Sequence, residues 1–107
     1  MELTSLEKSI LAHIAESHGY LADALALDHC SSREYTGHGF FTNFSEVQSD
    51  GLPISGPIIE SPELEHGGGS LLWLAGGVPC CLEIYAFGHD FPEQISSFAL
   101  TPWSANT

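Results

Sequence analysis

Apolar and polar positions change their period once along the chain. In "LTSLEKSILAHIAESHGY", Leu6, Ile10 and Ile14 recur at i, i+4 with Leu3 on the same side, the spacing of one helical face. Thr4 and Glu7 stand at capping-box spacing, and His18 and Gly19 mark the helix end. The next stretch, "YLADALALDHC", is rich in Ala and Leu and predicts a second helix over about 20–27. Its alternation of Leu21, Asp23 and Leu25 also suits a strand.

From Ser31 onward the preferences turn to β. "SSREYTGHGFFTNFSEV" combines Tyr, Thr, Phe and Val with an interrupting Gly-His-Gly. It reads either as a hairpin turning at Gly37 to Gly39 or as one long strand bulged at a glycine. "QSDGLP" predicts a turn, and "ISGPIIESP" a short strand kept at a sheet edge by its prolines. "LEHGGGS" reads as a flexible loop. "LLWLAGGVPCCLEIYAF" predicts two strands joined by a Gly-Gly turn. "GHDFPEQ" is a further loop, "SFAL" a last strand and "TPWSANT" a tail.

A helical start followed by strands with short connections predicts an α+β fold. Its form is an N-terminal helix or helical pair packed on one antiparallel β-sheet of about four to six strands. The 107 residues fit a single domain, 1–107, with no internal repeat or linker.

Charge narrows the choice of partner. Fourteen acids stand against Lys8 and Arg33 alone, a formal net charge of -12. Nucleic acid and anionic membrane surfaces both need cations, so neither is expected as a partner. No apolar run approaches the roughly 20 residues of a membrane span. "MELTSLEKS" lacks the basic and apolar regions of a secretory signal, which points to a cytoplasmic protein. The three cysteines, Cys30, Cys80 and Cys81, fit reduced thiols there. A basic protein remains a fitting partner. Glu46, Asp50, Glu60, Glu63 and Glu65 lie in a stretch without a single base and would supply the attraction.

Candidate chemistry is sparse. Residues 67–69 are a glycine triplet, but no Lys-Ser or Lys-Thr follows, so a phosphate loop is not expected. No pair of the six histidines has HxxxH spacing and no pair of cysteines CxxC spacing, and no metal or cofactor is expected. His38, His66 and His89 would form a composite site only if their loops met. No GxSxG elbow is present. Cys80 and Cys81 lie in an apolar strand, where a thiol behaves as a small hydrophobe. No catalytic residue is assigned.

Two polar positions stand out against apolar neighbours. Glu83 interrupts "CCLEIYAF", sharing a strand face with Cys81 and Tyr85. Arg33, the only arginine, needs a carboxylate if buried, and Glu83 or Glu60 are the partners expected for it. The candidate binding residues are therefore Arg33, Tyr35, Phe41, Glu83 and Tyr85. They suit a protein-binding face, or alternatively a small enzyme or ligand pocket around Glu83 and Arg33. Self-association through a strand edge or the apolar "SFALTPW" is also expected to be possible.

The order of "REYTGHGFFTNF", "LEHGGGSLLWL" and "CCLEIYAFGHDFPE" resembles a group of small, mostly uncharacterised acidic bacterial proteins. They share an Arg-x-x-Thr-Gly-x-Gly-Phe core, a glycine-led apolar strand and a terminal Leu-Glu-x-Tyr strand before an acidic-Phe-Pro or Trp-Pro turn. Here the likeness rests on Arg33, Thr36, Gly37, Gly39 and Phe40, on residues 67–69, and on Leu82, Glu83 and Tyr85. It implies that Arg33 and Glu83 serve structure or binding, and it carries over no catalytic residue. In size and charge the chain also resembles immunity proteins, which implies an inhibitor of a basic bacterial toxin.

Overall fold

A computed structural model describes residues 1–19, 21, 27–92 and 95–102. The second helix expected over about 20–27 and the end of the "TPWSANT" tail lie mostly or wholly outside the described residues. Helix α1 (Ser5–Ser17) opens the chain. Seven strands follow among the described residues: β1 (Ser32–Tyr35), β2 (Gly39–Asn43), β3 (Ile54–Ser55), β4 (Ile58–Ser61), β5 (Leu64–Ala75), β6 (Val78–Ala86) and β7 (Ala99–Thr101). All belong to one antiparallel sheet in the order β1-β2-β6-β5-β4-β7, with β3 also against β5. The α+β expectation holds, with a slightly larger sheet.

Helix α1 begins where its sequence says it should. The Thr4 hydroxyl accepts from Glu7 N–H, and the Glu7 carboxylate accepts from Thr4 N–H, closing both halves of the capping box. Leu6, Ile10, Leu11, Ile14 and Ala15 are buried along its inner stripe. They meet Ile59, Leu72, Leu82 and Ile84, which the period-2 alternation sends to the same side of the sheet. No described helix is long and apolar enough to cross a membrane.

The glycines explain how the sheet is laid down. At the β5–β6 connection Gly76 and Gly77 have φ of 58° and 82°, as a two-residue type I′ hairpin turn requires. The stretch around Gly37 to Gly39 is a hairpin, not a bulged strand. Thr36 N–H donates to Gly39 C=O at 2.9 Å, and Gly37 takes φ 91° as the first of two turn residues.

Two expectations are corrected. The glycine triplet is not a loop but part of β5. Gly67 (φ 77°) lies where the β4–β5 register slips, and Gly68 approaches the Tyr85 carbonyl too closely for any Cβ. The "ISGPIIESP" strand is two strands, and β4 is internal because β7 pairs with its outer side. Its two prolines cost no ladder bond there, since Pro57 and Pro62 flank β4 without entering it.

Candidate functional site

Cross-strand register separates the sheet into two faces. The row Arg33–Thr42–Leu82–Leu72 points toward the helix, and the row Glu34–Phe41–Glu83–Leu71 points away from it. Arg33 and Glu83 therefore lie on opposite faces, and the pair expected from the sequence does not form. A pocket built around both is excluded by the same geometry.

Arg33 instead pairs with Glu7. Its Nε donates to Oε2 at 2.8 Å and its Nη2 to Oε1 at 2.6 Å, a bidentate bridge between β1 and α1. The Thr42 hydroxyl also donates to Oε2. Arg33 Nη2 reaches the Glu2 carbonyl at 2.7 Å, which ties the N-terminal segment into the same network. The Glu7 side chain is fully buried and that of Arg33 only 14% exposed. Burial pushes the Glu7 carboxyl up. Hydrogen bonds from Arg33, Thr42 and Thr4, with the guanidinium charge, outweigh it and hold the group below its usual range. Every polar atom of the pair has a partner, so this is a structural bolt rather than a reactive centre.

That depressed carboxyl fixes the sign of an acid response. A group whose folded pKa lies below its unfolded value stabilises the fold above the unfolded value, about 4.3 for Glu. The stabilisation is lost as pH falls through the folded value. Wild type minus Glu7→Gln in urea midpoints is thus expected to be constant at neutral pH and to shrink below about pH 4. A difference that stays flat to pH 2 would contradict this.

Of the five candidate binding residues, Phe41, Glu83 and Tyr85 share the face away from the helix. Arg33 and Tyr35 lie on the other side. Tyr35 is 73% exposed at the sheet edge, its ring 5.5 Å from that of Phe40. Tyr85 sits between two glycines, paired with Gly39 on one strand and Gly69 on the other. Its ring lies over Gly69, where any Cβ would collide, and meets Phe87 edge-on at 5.7 Å. Burial pushes its hydroxyl up, as does the Glu83 charge.

Trp73 and Leu71 complete this face, and sequence reasoning did not place them there. Trp73 donates its indole N–H to Glu83 Oε1 at 3.1 Å. Beside it runs a groove of about 690 Å³ whose lining includes Glu34, Phe41, Asn43, Glu46, Val47 and Trp73. Val47, Leu52 and Val78 are exposed apolar residues. Asp50 ties its loop to the β5–β6 hairpin: its N–H donates to Leu74 C=O and its Oδ2 accepts from Gly76 N–H. No described helix covers this side.

The remaining candidates are quiet. Burial pushes the Cys81 thiol up to about 12, so it stays protonated and unreactive at neutral pH. His66 lies in β5 rather than in a loop, but these histidines do approach one another. His66 and His89 have ring centres 5.8 Å apart, and His38 Nδ1 is 3.8 Å from Asp90. Among the described residues, however, no three His, Cys, Asp or Glu side chains are arranged to hold a metal ion. Of the five acids expected to attract a partner, Asp50 and Glu63 are engaged locally, Glu63 by the Ser96 N–H and the Ser61 and Ser96 hydroxyls. Comparison with known proteins finds no matching family model, curated protein or solved structure.

Proposed function

We propose that this chain is a non-enzymatic protein-binding domain whose sheet face opposite α1 docks a basic protein. The observation that carries the reading is one sheet face, covered by no described helix, on which the partly exposed Phe41, Leu71, Trp73 and Tyr85 surround Glu83 in a chain of net charge -12. Aromatic residues are what protein interfaces enrich, and an uncompensated acidic surface steers cationic partners toward them. Glu34, Glu60 and Glu83 all lie on this face. A second copy docked face to face would set these like charges against one another, whereas a Lys- and Arg-rich surface would neutralise them. An immunity-like inhibitor of a basic toxin is the form of partner binding that suits this charge and size.

Support for a binding role over catalysis comes from the polar groups themselves. Glu7 and Arg33 are mutually satisfied, and the Cys81 thiol is held protonated.

The test places a photo-crosslinking residue at Leu71 on this face, and separately at Ser17 on the helix, and irradiates in the native cytosol. The face position is expected to capture a protein of basic isoelectric point. That protein, purified, should bind the unlabelled chain one to one, with affinity falling steeply from about 0.01 M to 0.15 M salt as the screening length shortens from about 30 to 8 Å. Capture of this chain alone, of an acidic protein, or equal capture from both positions would overturn the reading.

A further inference from the structure

We propose that the sheet face opposite α1 contains a subsite for one arginine side chain of the basic partner, centred on Phe41 between Glu34 and Glu83. The inference rests on the partner reading above and specifies which cationic group is recognised.

Register puts Glu34, Phe41 and Glu83 directly opposite one another on three adjacent strands, β1, β2 and β6. At about 4.8 Å between strands, the two acidic positions are about 10 Å apart with the Phe41 ring between them. A guanidinium laid on that ring can meet a carboxylate on each side. It is planar, weakly hydrated and carries five donors, so stacking and carboxylate bonding do not compete. A lysine ammonium presents a compact, strongly hydrated charge and can exploit the ring less fully.

The carboxylates are already aimed by neutral donors. Glu34 Oε1 accepts from the Asn43 amide at 3.0 Å, and Glu83 Oε1 from the Trp73 indole at 3.1 Å. No described residue donates to the second oxygen of either group. Neither has a cation beside it, because Arg33 is committed to Glu7 on the opposite face and Lys8 belongs to the helix. Glu34, Phe41 and Trp73 also line the same groove, so an arginine has room to lie along them. Charge complementarity therefore selects a cationic occupant, and the ring between the two acids selects its planar form.

The experiment uses the full chain carrying Trp103→Phe, so that Trp73 is the sole tryptophan. Deca-arginine and deca-lysine peptides, equal in charge, are titrated separately at about 0.15 M salt. Trp73 fluorescence and calorimetry give the affinities. Deca-arginine is expected to bind at least about fivefold tighter. Glu34→Gln and Glu83→Gln each keep the oxygen that accepts from Asn43 or Trp73. Each should bring the ratio toward one without moving the melting temperature, whereas Glu16→Gln on the exposed side of α1 should leave it unchanged. Equal affinity for the two peptides, or a preference that survives both face substitutions, would overturn the arginine subsite while leaving the basic-partner reading standing. Absence of binding by either peptide would overturn both.

Discussion

Replacing Arg33 with methionine is expected to destabilise the protein by about 3–5 kcal/mol, the usual cost of removing one member of a buried ion pair. The loss comes less from the bond than from what remains. The Glu7 carboxylate sits fully buried under the helix start, with only the Thr42 hydroxyl and the Thr4 N–H still donating to it. The double variant Arg33→Met with Glu7→Leu should therefore be more stable than Arg33→Met alone. It should remain about 1 kcal/mol below wild type, because Thr4 N–H loses its half of the capping box. Urea denaturation of the four proteins closes the cycle. If Arg33→Met cost less than about 1 kcal/mol, the pair would be a surface decoration and the role given to Glu7 would fail.

Gly39→Ala is the second large expected effect. A Cβ there would lie 2.0 Å from the Ile84 carbonyl oxygen and 2.6 Å from Tyr85 Cα, both backbone atoms of the neighbouring strand. No rotamer relieves such a clash, so β2 and β6 must separate or slide. The expected loss is about 3 kcal/mol or more, at or beyond the upper end of ordinary overpacking. Gly51→Ala, with nothing within 4 Å of its added Cβ and no positive φ, is the control. It should be neutral or slightly stabilising through the unfolded state. Equal stability of the two variants would contradict the close β2–β6 approach, and with it the alignment of Glu34, Phe41 and Glu83.

Much of the architecture was readable where one signal acted locally. The apolar stripe of α1, its Thr4–Glu7 cap and the Gly76-Gly77 hairpin all follow from spacings of a few residues. Glu7 was also legible, though for one role only. Its capping function explained it, yet it stands on the inner stripe among Leu6, Ile10 and Leu11, and a carboxylate there needs a cation. With only two bases in the chain, Arg33 was one of two choices.

The face of Trp73 was harder for a geometric reason. A two-residue turn at Gly76-Gly77 would pair Trp73 with Cys80 and Leu71 with Leu82, placing both on the helix side. The register slips between Trp73 and Leu74, so that Trp73 meets Cys81 and Leu71 meets Glu83. One extra residue at Cys80 thus moves both side chains to the other face. Nothing in the composition around "VPCCLE" announces it except Pro79, which cannot donate to a ladder. The glycine triplet misled in the opposite direction. It looked flexible, but each glycine there answers a particular approach of Tyr85 or Ile59 to the β5 backbone.

The central claim is that the sheet face opposite α1, and not the helix side, is the binding surface. It is tested most directly by association kinetics with the crosslinked partner, comparing wild type with Phe41→Ala and Leu71→Ala on that face and His13→Ala on the helix. The two face variants are expected to dissociate at least about tenfold faster, a loss of about 1.4 kcal/mol or more each, as anchors in an interface do. His13→Ala should match wild type, and all association rates should fall with salt. Face variants that bind as wild type does, or a His13→Ala variant that loses the partner, would contradict the account.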